Sequence, residues 1–140
     1  MSEQILGFFK EYRFLSNFHL AEVELDGLKY RSTEHAYQAA KTNDPEERRK
    51  IREAVKPADA KKLGQKVTMR PDWEEVKFSV MKDLVRQKFN HKDLKEKLLA
   101  TGDAYLEETN YWQDFCWGVC NGKGTNWLGK ILMEIREELK

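Results

Sequence analysis

The sequence predicts an α+β fold, a single compact and mostly helical domain over residues 1–140 with a small antiparallel sheet. Three observations carry that prediction. An alternating stretch with a strong turn signal lies in the first third, capped helical segments fill the middle, and an apolar stripe at helical spacing closes the chain.

Taken in order, Ile5 to Phe9 is a short apolar run that reads as a strand. Ala21, Val23 and Leu25 then alternate with Glu22 and Glu24, and Asp26-Gly27 turns the chain into Leu28 to Arg31, the pattern of a hairpin. A helix starts at Ser32 or Thr33, whose hydroxyl can accept from free backbone amides ahead of Glu34 to Lys41. Asp44-Pro45 with Glu47 marks a second helix start, and Pro57 opens a third segment that ends near Gly64. Asp72 with Glu75 starts a fourth, carrying Trp73, Val76, Val80, Met81, Leu84 and Val85 on one stripe. Lys92 to Ala100, closed by Gly102, is the fifth. The stretch Tyr111 to Val119 is dense in aromatics and leads through Gly122, Gly124 and Asn126 into a last core helix with Leu128, Ile131, Leu132, Ile135 and Leu139 at helical spacing.

Composition narrows the function classes. Hydrophobic residues make up 40% and charged residues 35% of 140, ordinary for one globular core. Lys plus Arg number 25 against 24 Asp plus Glu, so no overall basic field draws the chain to nucleic acid or acidic membranes. The densest basic stretch, Arg48, Arg49, Lys50 and Arg52, sits among glutamates and reads as a solvated helix face. No apolar run is long enough for a membrane span, and Met1 to Lys10 lacks a signal-peptide layout, so the chain is read as cytoplasmic. Cys116 and Cys120 read as buried thiols. The scattered histidines His19, His35 and His91 give no ligand spacing, so no metal and no cofactor are expected.

Chemistry could sit at three places. Glu34, Gln38 and Lys41 are spaced i, i+4, i+7 and share one helical face, which is either a surface ion-pair face or a polar site. Ala36, Ala39 and Ala40 allow that helix to pack closely and point to a central position. Ser16-Asn17, between Leu15 and Phe18, can satisfy a turn or present hydrogen-bond partners to a ligand. Trp112, Trp117 and Trp127 around Asp114 are either core or a platform for a flat heterocycle.

Together these segments resemble the NADAR family of N-glycosidases from about Phe8 to Arg136. The pattern is carried by Tyr12-x-Phe14-Leu15-Ser16-Asn17-Phe18, Tyr30-x-Ser32-x-Glu34-His35-Ala36-Tyr37-Gln38-Ala39-Ala40-Lys41, Ala60-Lys61-x-Leu63-Gly64, Arg70-x-Asp72-Trp73, Leu98-Leu99-x-Thr101-Gly102, Phe115-x-Trp117-Gly118 and Gly124-x-Asn126-x-Leu128-Gly129. One departure is Trp112-Gln113-Asp114, where the family's glycine is replaced by Gln113.

The resemblance implies an enzyme that cleaves the bond between an exocyclic amine nitrogen and the anomeric carbon of a phosphorylated ribose. The substrate would be a ribosylamino-pyrimidine phosphate intermediate of riboflavin synthesis, or an ADP-ribosylated guanine base, free or within nucleic acid. Because the glycosidic nitrogen of both bears a hydrogen, the sugar can open to an imine that an amine attacks. Lys41 is then the nucleophile and Glu34 its acid/base partner. Direct hydrolysis by Glu34 and Asp114 is the mechanistic rival. Ser16, Asn17, Arg31, His35, Gln38, Trp112, Trp117, Gly118 and Asn126 are the expected substrate contacts. The alternative from another class is a non-catalytic module that binds ADP-ribose or a nucleotide in the same pocket.

Overall fold

The structure, a computed structural model, describes residues 3–140. Its elements in chain order are β1 (Gln4–Leu6), a 3-10 helix (Lys10–Leu15), β2 (Leu20–Leu25), β3 (Leu28–Ser32), α1 (Thr33–Ala40), α2 (Pro45–Glu53), α3 (Pro57–Gly64), α4 (Trp73–Lys88), α5 (Lys92–Ala100), β4 (Tyr105–Glu107), β5 (Thr109–Asn110), β6 (Val119–Cys120) and α6 (Trp127–Glu138). This is the α+β class the sequence predicts. The chain forms two compact units, one inserted in the other along the sequence: Asn17–Lys88, and the described part of Met1–Ser16 together with Phe89–Lys140.

In the inserted unit β2 and β3 pair antiparallel, with Val23 opposite Tyr30 and Leu25 opposite Leu28. Asp26 and Gly27 both have positive φ (49° and 83°), the geometry that a two-residue hairpin loop needs to match strand twist. Val23, Tyr30 and Ser32 are buried while Glu22 and Glu24 are exposed, so the alternation in the sequence sets which face is covered. The Ser32 side chain accepts from the His35 amide and caps α1. Asp44 does the same for α2 through the Glu46 amide, and Pro45 and Pro57 sit in the first turns of α2 and α3.

Every residue of α1 is buried, with Ala36, Ala39 and Ala40 fully so, and the helix packs against β2, β3, α2, α3 and α4. The small side chains are what permit five neighbours to approach. The face of α4 toward the core carries Trp73, Met81, Leu84 and Val85, whereas Val76 and Val80 are half-buried. Arg49 lies between Glu46 and Glu53 as a solvated face requires. Arg48 departs from that expectation: its guanidinium reaches Asp26 at 2.6 Å and the Thr42 carbonyl at 2.7 Å, tying the hairpin turn to α2.

In the other unit β1 pairs parallel with β4, Gln4 opposite Tyr105, and β5 pairs parallel with β6. The strand expected over Ile5–Phe9 is shorter, because Gly7 (φ 89°) turns the chain and Phe9 precedes the 3-10 helix. Helix α6 packs on β4. Ile131, Leu132 and Ile135 are buried as expected, while Leu139 falls at the helix end and is half-buried. The aromatic stretch is mostly irregular loop rather than dense packing: Tyr111, Trp112 and Phe115 are exposed and Trp117 half-buried. Cys120 is buried, Cys116 only half so.

Candidate active site

In the inserted unit, α1 carries three polar side chains on one stripe, and their burial excludes a surface ion-pair face. Glu34 and Gln38 are 7% and 4% exposed. Gln38 Nε2 donates to Glu34 Oε2 at 2.6 Å, the reach of neighbours one turn apart. The Asn17 carbonyl accepts from the Glu34 amide at 3.1 Å, and Asn17 Nδ2 contacts the Met81 sulfur at 3.5 Å, so Asn17 is held beside the start of the same helix.

Lys41 ends α1 and is half-buried, its Nζ 5.7 Å from the centre of the Tyr37 ring. Burial pushes its ammonium below the usual lysine range. The charge of Glu34 opposes that shift and the charge of Lys61 on α3 adds to it. The result is an amine more readily neutral than an ordinary lysine, which is the state a nucleophile needs.

The end of α1 is fixed by a motif that the sequence marks as a helix start and a core position but not as part of a site. The Arg70 amide donates to the Lys41 carbonyl at 2.7 Å, and Arg70 Nη1 reaches the Ala40 carbonyl at 3.5 Å. Asp72 holds the guanidinium through Nε and Nη2 at 2.6 and 3.0 Å. Trp73 lies against Tyr37 with ring centres 5.2 Å apart. Arg70-x-Asp72-Trp73 therefore anchors the backbone from which Lys41 projects.

His35 is fully buried with both ring nitrogens engaged. Nε2 lies 2.9 Å from the Ala54 carbonyl, which can only accept, so Nε2 carries the proton and Nδ1 accepts from the Ser32 hydroxyl at 2.7 Å. Burial holds this imidazole below the usual histidine range and neutral. Arg31 Nη1 also approaches the Ala54 carbonyl, at 3.4 Å.

The remaining candidates lie in the other unit. Ser16 closes the 3-10 helix, its amide donating to the Arg13 carbonyl. Asp114 Oδ1 accepts from the Cys116 and Trp117 amides at 3.2 and 2.9 Å, and Asn110 brackets the turn through the Asp114 amide and carbonyl. Gln113, where the resemblance implies glycine, stands at φ 63°, a left-handed position glycine adopts without strain. A Cβ on Gly118 would come within 2.1 Å of the Glu108 carbonyl oxygen, so this glycine permits a backbone crossing. The Asn126 side chain accepts from the Glu108 amide and donates to the Leu106 carbonyl, both at 3.0 Å, beside Gly129, where a Cβ would meet that same carbonyl oxygen at 2.1 Å. Trp112 and Trp127 are 41% and 39% exposed.

A model of the NADAR domain matches residues 5–140. The chain belongs to the NADAR family. Among its NADAR relatives, the N-glycosidase YbiA of Escherichia coli (strain K12) is 38% identical over 146 residues, covering 99% of this chain and 91% of that protein. An N-glycosidase of Nostoc punctiforme is 38% identical, covering 92% of this chain and 86% of that protein. A riboflavin biosynthesis protein of Vibrio vulnificus is also 38% identical, covering 94% of this chain and 36% of that longer protein. The NMR structure of E. coli YbiA superposes with a TM-score of 0.87, covering 99% of this chain and 86% of that one. N-glycosidase activity follows for this NADAR chain from relatives matched over nearly their whole length. Gly64, Lys61, Arg70 and Trp73 are positions of the NADAR pattern whose part is legible only once α3 and α4 are seen against α1.

Proposed function

We propose that the chain hydrolyses the bond between an exocyclic amine nitrogen and the anomeric carbon of a phosphorylated ribose, with Lys41 as nucleophile and Glu34 as proton carrier. The observation that carries this reading is the stripe on α1, a buried carboxylate one helical face from an amine that burial makes easier to deprotonate. The glycosidic nitrogen's lone pair expels the ring oxygen, which takes a proton, and leaves an imine at the anomeric carbon. Neutral Lys41 adds to that carbon, and the heterocyclic amine departs with a proton, leaving a Schiff base on Lys41. Water then adds, the lysine leaves, and the sugar is released as its open aldehyde.

Asp114 spends Oδ1 on two backbone amides, which supports a loop-shaping part for it over the two-carboxylate route. His35 and Asn126, fully engaged within the protein, fit supporting parts better than direct substrate contact. A module that only binds ADP-ribose would not need to bury an amine beside a carboxylate at the cost of desolvation. The name of the Vibrio relative supports a ribosylamino-pyrimidine phosphate as substrate over an ADP-ribosylated guanine. The phosphate keeps such a molecule in the compartment where it is made, which supports action in the cytoplasm.

The test is turnover of both substrates in the presence of borohydride. The expected result is a mass gain equal to the reduced sugar phosphate at Lys41, lost in Lys41→Ala, with Glu34→Gln at least about 100-fold slower. Full turnover with no adduct, under conditions that label a known Schiff-base enzyme, would show direct hydrolysis instead.

A further inference from the structure

Gly64 ends α3 as a helical residue without positive φ, so its backbone conformation is open to any amino acid. Glycine weakens a helix relative to alanine, so its presence needs another cause. That cause is Gln38. A Cβ at position 64 would lie 1.9 Å from Gln38 Oε1, 2.6 Å from its Cδ and 2.8 Å from its Cβ. The whole amide therefore rests on the bare Cα of Gly64, and any side chain there would expel it.

The seated amide has one polar contact and one unmet need. Nε2 donates to Glu34 Oε2, while Oε1 is buried with no hydrogen-bond partner among the described residues. Turning the amide over would point the oxygen at the carboxylate, two acceptors 2.6 Å apart, so the orphaned oxygen is kept to hold the donor on Glu34. A weakened helix end and an unsatisfied acceptor serve the same contact. Both are hard to account for if Gln38 only fills space, since Leu or Met would fill it without either cost.

We infer that Gln38, seated on Gly64, is a positioning residue that fixes the plane of the Glu34 carboxylate for proton transfer. This rests on the proposed role of Glu34. It assigns the Ala60-Lys61-x-Leu63-Gly64 segment a function: α3 is the wall against which the amide is set. Gln38 then acts through Glu34 and not on the substrate, so its loss reads in turnover and not in binding.

Steady-state kinetics on whichever of the two substrates named above is turned over, with thermal melts alongside, test this in Gln38→Leu, Gly64→Ala, Gln38→Ala, the double variant Gly64→Ala with Gln38→Ala, and Glu34→Gln. Gln38→Leu is expected to lower kcat by about 10- to 100-fold, the scale of a misplaced catalytic group, with KM within about twofold. Gly64→Ala lowers kcat similarly with Gln38 intact, yet adds little further loss to Gln38→Ala, where the amide is already gone and only the two Cβ atoms, 2.8 Å apart as placed, have to move apart. Should the variants at Gly64 fail to fold, Gln38→Leu still decides. A raised KM at unchanged kcat would make Gln38 a substrate contact and overturn the inference, as would a lowered melting point with both constants unchanged. An inactive Glu34→Gln beside a fully active Gln38→Leu sinks the inference alone. An active Glu34→Gln sinks the reading of Glu34 and the inference with it.

Discussion

Lys41 shows how one side chain's chemistry is set by groups far from it in sequence. Its identity and its place in line with Glu34 can be read from the spacing of three residues. The state of its amine cannot, because that depends on burial and on Lys61 from another helix. The sign of the Lys61 effect gives a prediction. A neighbouring positive charge disfavours the ammonium, so Lys61→Met raises the Lys41 pKa toward the ordinary lysine value. If the neutral amine attacks, the rising limb of kcat/KM against pH moves to higher pH in the variant; an unmoved limb would remove Lys61 from the site's electrostatics. Gln113 gives a second. It occupies a left-handed backbone position at φ 63°, which costs a non-glycine residue about 1 kcal/mol. Gln113→Gly should raise thermal stability by that order with the loop unchanged, and an unchanged or lowered melting point would mean the side chain makes compensating contacts.

Elements whose signals are local were legible. Ser32, Asp44 and Pro57 start helices because a side-chain oxygen or a fixed φ acts within one turn, and Asp26-Gly27 sets a hairpin by its own dihedrals. Strands β4, β5 and β6 were not legible. Each is two or three residues long and pairs parallel, β4 with β1 at the other end of the chain and β5 with β6 across an irregular loop, so neither a hairpin turn signal nor an alternating run marks it. The same holds for what seats α6. Asn126 belongs to the family pattern and was expected to meet substrate, yet its side chain joins Glu108 and Leu106 at the helix start. Asn126→Ala leaves those buried backbone groups unsatisfied and should cost about 2 to 4 kcal/mol of stability. The check is a melt paired with KM on the folded fraction: a stable variant with a raised KM would return Asn126 to the substrate.

The contacts of the chain as a whole form two units, one of them discontinuous in sequence. We expect unfolding to be a single cooperative transition all the same, with the calorimetric enthalpy equal to the van't Hoff value, as chains of this length usually show. Two resolved transitions, or a calorimetric enthalpy well above the van't Hoff value, would mean that the units melt separately. Family membership and fold were legible because the motifs run in order through nearly the whole chain. The division into units was not, since no linker composition marks Ser16 or Lys88.

The pairing of β1 with β4 has a bearing on how the molecule is made. Gln4 meets Tyr105 about a hundred residues later. During synthesis the inserted segment Asn17–Lys88 leaves the ribosome complete and can fold while β1, already outside, has no partner to pair with. Closing so long a loop is slow, and until it closes β1 offers an unpaired backbone edge with Ile5, buried in the finished protein, open to solvent. Nascent chains arrested once residue 88 has left the ribosome but before β4 has should therefore show protease resistance over 17–88 and sensitivity across residues 3–16, with protection of residues 3–16 arriving only after β4 has emerged.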